Sequence, residues 1–259
     1  MSTPPRSVVL TATAAFGVGH LVARRTLAVP AALPFAAAAL LVGHTVDVAN
    51  FAIMMQIDCN STIQRWRGVK AASVLDADRM RFRCWPALID RNNHMNNAKY
   101  VRVCNYARRR FWQRNGVWQF CSQLAPQANL IVTASTIRYR KEIGLFDSFD
   151  VLTRLLSWDT SCLYLEHRFL RPSDGFVLAV CFVKYRLVGD ALASHPNGPL
   201  PAPTSGVAKD LAPATLLAAV DDACASLEHA PPMPAELEAW LEYDRLSSGA
   251  LRKEAGLRG

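Results

Sequence analysis

Asp90-Arg91-Asn92-Asn93-His94-Met95-Asn96-Asn97-Ala98-Lys99-Tyr100 sets a carboxylate, an imidazole and four asparagines within eleven residues. Just upstream, Met80, Phe82 and Cys84 alternate with Arg79, Arg81 and Arg83. That is the period of a half-buried strand, and Pro86 ends it. Downstream, Val101, Cys104, Ala107, Arg108 and Phe111 recur at helical spacing. Asn96 or Asn97 suits the N-cap of this helix, and Asn115-Gly116 stops it. The pattern predicts a helix of about 17 residues from Ala98, apolar on one side, with Arg102, Arg109, Arg110 and Arg114 on its other faces. The polar stretch is then a loop between a strand and the mouth of a helix.

Four further strands are predicted. Leu130 to Ile143 is rich in β-branched residues, and Phe149 to Trp158 alternates up to a turn at Asp159-Thr160. Cys162 to Leu170 alternates as well, and Phe176 to Leu187 follows the turn Pro172-Ser173-Asp174-Gly175. Short turns imply an antiparallel meander. One helix followed by such a sheet reads as α+β, with the helix packed on one sheet face. Trp112 and Trp118 read as filling that core or a dimer seam. Pro196 to Gly206, with four prolines and two glycines, reads as a linker. Two helices follow. Leu211 to Leu227 is apolar at Leu211, Leu216, Leu217, Val220 and Ala223, and Pro231-Pro232 ends it. Ala235 to Glu254 carries Leu237, Trp240, Leu241 and Leu251 on its apolar side.

The N-terminus differs in character. Met1 to Val46 has no acidic residue. Val8 to Ala23 is apolar and uncharged up to Arg24-Arg25, and Thr26 to Val46 is a second uncharged stretch of 21 residues. Pro30 and Pro34 place a helix start near Pro34, so Pro34 to Met55 is the candidate membrane span, with Asp47 inside it. The first stretch would make a second span, with the arginines in the turn. A signal peptide would need a more basic start than Arg6 alone, and Arg6, Arg24 and Arg25 fit an organelle-targeting peptide only thinly. Arg65, Arg67 and Lys70 beyond the span favour a cytosolic globular domain, whereas a hairpin puts Arg24-Arg25 on the opposite side from those bases, so the orientation stays open. The expectation is membrane association, at the endoplasmic reticulum or the mitochondrion.

Charge is uneven along the chain. Ser205 to Gly259 holds nine acids and five bases, whereas residues 61 to 170 carry a net +10. A basic middle segment suits an anionic partner such as the phosphates of a carrier, or is a solvated face. Arg108, Arg109, Arg110 and Arg114 share those two readings. No nucleic-acid motif occurs. The seven cysteines include no C-x-x-C pair and the count is odd, which excludes a disulfide framework and a zinc site. They read as buried small hydrophobes in a reducing compartment. Asn60-Ser61-Thr62 is a formal glycosylation sequon of the kind chance supplies. The histidines lack metal-ligand spacing. Neither a metal nor a cofactor is expected.

The opening stretch suits acyl transfer from a thioester. A thioester carbonyl is already electrophilic, so hydrolysis needs a nucleophile and donors for the developing oxyanion. Asp90 can deprotonate water or attack directly. The His94 imidazole can share the proton work, while Asn92 can position the water. Backbone N–H groups at the helix mouth can hold the oxyanion. Competing structural roles exist for each: Asp90 as a turn former, His94 as a capping histidine, Asn96 and Asn97 as helix caps.

Asp90, Asn92, His94, Asn96, Asn97 and Tyr100 resemble the D-x-N-x-H-x-N-N-x-x-Y stretch of plant acyl-carrier-protein thioesterases. They also resemble the looser D-x-x-G-x-V-x-x-x-x-Y loop of 4-hydroxybenzoyl-CoA thioesterases. Both groups belong to the hotdog superfamily. Resemblance is closer to the member-six group of the thioesterase superfamily. It rests on His94-Met95-Asn96-Asn97-Ala98, Trp158-Asp159 with Leu163-Tyr164-Leu165-Glu166, Asp174-Gly175-Phe176-Val177, and Trp240, Tyr243 and Ser247-Ser248. It covers roughly residues 78 to 257. The resemblance implies an antiparallel sheet wrapped around a central helix, and a site at a homodimer interface with the acyl chain running along that helix. It implies Asp90, Asn92 and His94 as catalytic and Asn96, Asn97 and Tyr100 as substrate-binding. Two departures stand: no acid lies between Asp90 and Glu142, and Asn93 replaces the benzoyl-type glycine. The chain is thus expected to divide into an anchor or targeting segment (1–56), a hotdog domain (57–195) and a linker with helical extension (196–259). Its expected activity is hydrolysis of acyl-CoA or acyl-carrier-protein thioesters. The alternative is a non-catalytic hotdog that binds acyl groups or partners at a membrane.

Overall fold

Asp47 has a short carboxylate next to a run of apolar residues, and such a side chain caps helices better than it continues them. In the computed structural model, which describes residues 47–124, 129–188 and 212–255, its Oδ1 accepts the Asn50 N–H at 3.2 Å. Helix α1, Val48–Trp66, starts there. Asp47 is therefore a cap rather than a passenger within a helix, and the helix that contains Met55 runs on to Trp66. The rest of the expected span, and the linker from Pro196 to Gly206, lie outside the described residues. Among the described residues no helix is long and apolar enough to cross a membrane. The chain divides into two units, Met1–Ala52 and Ile53–Gly259, and the second holds the sheet.

Five antiparallel strands follow the predicted alternation: β1 Asp78–Arg83, β2 Asn129–Tyr139, β3 Ser148–Trp158, β4 Cys162–Leu170 and β5 Val177–Val188. Their order in the sheet is β1-β3-β4-β5-β2. Consecutive strands β3, β4 and β5 form the predicted meander, in which Arg154 faces Glu166 and His167 faces Cys181. Strand β2 stops short of the expected Ile143. The Arg140 and Lys141 N–H groups both turn to Leu178 O, and Ile143 O accepts the Met95 N–H at 2.8 Å. Ile143, the last residue of the predicted strand, thus pairs with the opening loop instead of with the sheet.

Helix α2, Asn97–Arg114, carries the chain from the β1 edge to the β2 edge across one face of the sheet. Its buried stripe is Tyr100, Val103, Cys104, Ala107 and Phe111, packed on Phe149, Leu165, Phe169, Ala179 and Val183. Val101, expected on that stripe, is 38% exposed, because the inward face is centred on the line through Cys104 and Ala107. Gly116 takes the left-handed φ (84°) that ends the helix, and a short helix α3, Val117–Leu124, follows. Trp112 is in the core and Trp118 packs against it.

The remaining helices cover the sheet. On α4, Pro213–Val220, Leu216 and Leu217 enter the main core. Asp221 caps α5, Asp222–Ala225, through the Ala223 N–H, and its other oxygen accepts Ser73 Oγ and the Val74 N–H at 2.6 and 2.7 Å. Helix α6, Ala235–Glu254, buries Leu237 on the outer sheet face against Leu156, Cys162 and Tyr164. This is the α+β hotdog arrangement: an antiparallel sheet around a central helix. Six of the cysteines are buried, all seven are free, and Cys59 is exposed.

Three of the basic residues on α2 have carboxylate partners. Arg110 and Arg114 both reach the buried Asp78, at 2.7 and 2.6 Å, and Arg109 forks onto Asp58 of α1. The run that read as phosphate-binding or solvated is, at these three positions, matched within the fold. Arg108 instead lies over the Tyr185 ring, 5.5 Å from its centroid.

Candidate active site

The loop from Asp90 to Asn96 is closed by its own backbone. The Asp90 N–H donates to His94 O at 3.0 Å and the Asn93 N–H to Asp90 O at 3.1 Å. Asp90 Oδ1 accepts the Asn92 N–H at 2.8 Å, an Asx turn. This closure needs a left-handed residue, and Asn93 supplies it at φ 62°. Asparagine tolerates that region well, which accounts for its presence where a glycine would also serve.

The closed turn brings the Asp90 and His94 side chains together, Oδ1 to Nδ1 at 3.8 Å. Both are partly exposed, at 21% and 36%, so they face a space that water and a ligand can reach. Asn92 is exposed beside them. The Asx-turn role expected as an alternative for Asp90 is therefore present together with the contact to His94, and each of the two carboxylate roles uses the same Oδ1.

Outside the turn, the loop is clamped on two sides. The Asn96 N–H donates to Leu88 O at 2.8 Å, and Met95 is held by Ile143. His94 pairs with Gly144 across the same clamp. Asn96 is the N-cap of α2, its Oδ1 accepting the Ala98 N–H at 2.9 Å. The amides of Asn96 and Ala98 are thus already occupied. The Asn97 N–H is left at the helix mouth without an acceptor among the described residues, so the expectation of oxyanion donors near Asn96 and Asn97 narrows to that group. Tyr139 Oη donates to Asn97 O at 3.1 Å and fixes the first turn.

Tyr100 is buried, its ring 5.0 Å from those of Tyr139 and Phe169. Burial first, then the neighbouring Cys84 and Tyr139 and, least, Glu142, pushes its hydroxyl up to about 12. It stays a neutral phenol that walls the helix mouth. Glu142 is exposed, on the segment that pairs with the loop. Sequence spacing gave no reason to bring it near, because the early end of β2 is a tertiary effect. Among the described residues there is no cluster of His, Cys, Asp and Glu able to hold a metal.

A family model described as "Thioesterase-like superfamily" matches residues 84–241, from the end of β1 to the middle of α6. The chain belongs to that superfamily. The match contains the whole clamped loop and the central helix of this superfamily member. Over 164 residues the chain is 33% identical to Protein THEM6 of Danio rerio, covering 63% of this chain and 68% of that one. Protein THEM6 of Xenopus laevis is 30% identical, covering 63% and 67%. Among solved structures, a hypothetical protein SAV2348 from Staphylococcus aureus in complex with CoA is similar at a TM-score of 0.41, 21% identity, covering 47% of this chain and 75% of that one. The probable thioesterase YbaW from Escherichia coli is similar at a TM-score of 0.38, 20% identity, covering 42% and 80%.

Proposed function

We propose that this chain hydrolyses acyl thioesters carried on coenzyme A or an acyl-carrier protein. The observation that carries this reading is the Asp90–His94 contact of 3.8 Å at the mouth of α2, within a thioesterase-like domain. Asp90 takes a proton from water as the water oxygen attacks the thioester carbonyl. Asn92 stands beside it to orient that water. The oxyanion forms against the Asn97 N–H, where the helix dipole favours negative charge. The C–S bond then breaks, and His94, relaying the proton, protonates the departing thiolate. Tyr100 and Asn97 bound the entrance to the acyl group.

The test is thiol release from a panel of acyl-CoA thioesters by the purified full chain. Release above background that disappears in Asp90→Asn supports the reading. No turnover at any chain length sinks it, and a rise in melting temperature with a long-chain acyl ligand would then favour the non-catalytic binder.

Strand β2 is an eleven-residue edge strand with unpaired backbone groups along its outer side, a template for pairing with a second copy. A homodimer through an edge would appear as twice the chain mass in light scattering. The uncharged stretches before Asp47 support attachment to a membrane of the endoplasmic reticulum or mitochondrion. Alkaline carbonate washing should leave the chain in the membrane pellet, and recovery in the supernatant would refute an integral anchor.

A further inference from the structure

Trp85 and Phe146 leave more than half and half of their surface in water, at 55% and 50% exposure. Their rings meet edge to face, centroids 6.0 Å apart at 83°. The Arg83 guanidinium lies over the indole, 5.8 Å from its centroid. A pair this exposed contributes little to the core.

Its backbone nevertheless carries strain. Phe146 has φ 63°, in the left-handed region. For a residue with a bulky side chain this costs about 1–2 kcal/mol, and glycine would sit there without that cost. Four hydrogen bonds hold the turn. The Phe146 N–H donates to Cys84 O at 2.7 Å and the Cys84 N–H to Asp147 O at 2.9 Å. The Gly144 N–H donates to Asp147 Oδ2 at 2.8 Å and the Asp147 N–H to Gly144 O at 3.2 Å. Trp85 is fixed in turn by the Leu88 N–H, which donates to its carbonyl at 2.8 Å. Strain that the surroundings over-determine concentrates where a side chain must be presented.

The corner adjoins the candidate active site. Gly144, two residues before Phe146, pairs with His94, and Ile143 holds Met95. One hydrogen-bonded frame therefore carries both the aromatic corner and the Asp90–His94 turn. Two rings at a right angle offer a flat ligand one face to stack on and a second ring to abut. A purine stacked on an aromatic side chain gains about 1–3 kcal/mol. Arg83 flanks the corner with a fork that matches phosphate oxygens. The frame also carries Arg91, Lys99 and Lys141 beside the acids Asp90, Glu142 and Asp147, and the cation in contact with the corner is Arg83.

We propose that the Trp85–Phe146 corner, with Arg83, binds the adenine nucleotide end of coenzyme A and so favours a nucleotide-bearing carrier over an acyl-carrier protein. This rests on the thioester-hydrolase reading for its role but not for its binding chemistry. An acyl-carrier protein offers phosphopantetheine without a base and would leave the corner empty.

The experiment uses the full chain as wild type, Trp85→Leu and Phe146→Gly, with adenosine 3′,5′-bisphosphate as the probe. Calorimetric titration should show binding by the wild type and a loss of about tenfold or more in each variant, as the stacking energy implies. Thermal unfolding of Phe146→Gly should occur at an equal or higher temperature than wild type, because the strain is relieved; weaker binding by a protein at least as stable excludes a folding defect. The ratio of kcat/KM for an acyl-CoA to that for the same acyl group on pantetheine should fall about tenfold in both variants. Absence of bisphosphate binding by the wild type overturns the proposal. So does an unchanged ratio, or protection of Trp85 from quenching by phosphatidylserine vesicles and not by the nucleotide. If no thioester is hydrolysed, the hydrolase reading fails alone, and the bisphosphate titration still decides the corner.

Discussion

Asp90 Oδ1 and His94 Nδ1 stand 3.8 Å apart because Asn93, between them, takes a left-handed φ of 62°. Sequence spacing alone would not join them, since in an extended chain residues four apart are more than 10 Å from each other, at about 3.3 Å per residue. Substitutions can separate the chemistry from the turn. Asp90→Asn keeps an Oδ1 acceptor for the Asn92 N–H, so the turn should survive and the unfolding midpoint should stay close to wild type. Thiol release should fall about 10²-fold or more, the range for loss of a positioned general base. His94→Ala should fall less, because a bulk acid can protonate a thiolate. A loss of activity matched by a loss of stability in Asp90→Asn would mean that the carboxylate acts on the fold.

Asp78 is buried while its two partners are a third to a half exposed, so the network is only partly shielded. A fully buried pair costs about 3–5 kcal/mol to break, and solvent screening of Arg110 and Arg114 lowers the expectation for Asp78→Ala to about 2–3 kcal/mol. Urea unfolding measures this directly. The exposed Arg245–Glu242 pair on α6 is the control: Arg245→Ala should leave the midpoint where it is. Equal effects at both sites would show that the α2 arginines do not anchor β1.

His167 sits fully buried on β4 with Thr153 Oγ1 at 2.9 Å from Nδ1 and Nε2 unpartnered. Burial first, then the Arg108 charge, pulls its pKa down to about 3. The folded form is thus neutral while the unfolded form takes a proton below about pH 6.5. Stability is fully present above pH 6.5 and is lost as pH falls from there towards 3, by about 1.4 kcal/mol per unit from this group. His167→Gln should flatten that part of the stability profile measured between pH 7 and 5. An unchanged slope would place the protonation elsewhere.

Much of this architecture is legible from residues alone, and the misses share a cause. Strands β3 to β5 are readable because Val151, Leu163 and Cys181 alternate with outward residues over short turns. The loop is readable as a site because an acid and an imidazole four residues apart precede a capped helix. Tertiary choices are what the pattern cannot carry. Val101 and Cys104 are both apolar at helical spacing, yet only contact with the sheet decides which faces inward. Arg109, Arg110 and Arg114 look free because Asp58 and Asp78 lie on α1 and β1, far upstream. Helix α3 follows Gly116 so closely that the stop signal hid it, although Val117, Phe120 and Cys121 have helical spacing. The residues around Phe146 carry no signal of its left-handed φ.

Leu237 and Leu251 test the same distinction on α6. Both lie on the apolar side read from the sequence, yet Leu237 is fully buried against Leu156, Cys162 and Tyr164, and Leu251 is 61% exposed. The first half of the helix packs on the outer sheet face and the last turns extend past it. Leu237→Ala removes a buried isobutyl group from a site bounded by rigid strands, where collapse is limited, and should cost about 2–4 kcal/mol. Leu251→Ala should fall within about 0.5 kcal/mol of wild type, as for other surface substitutions. The two variants, compared by urea unfolding in the same buffer, decide whether the C-terminal helix is part of the hotdog's cooperative unit. If Leu237→Ala left the main transition unmoved and only a separate early transition shifted, α6 would be an independently melting appendage.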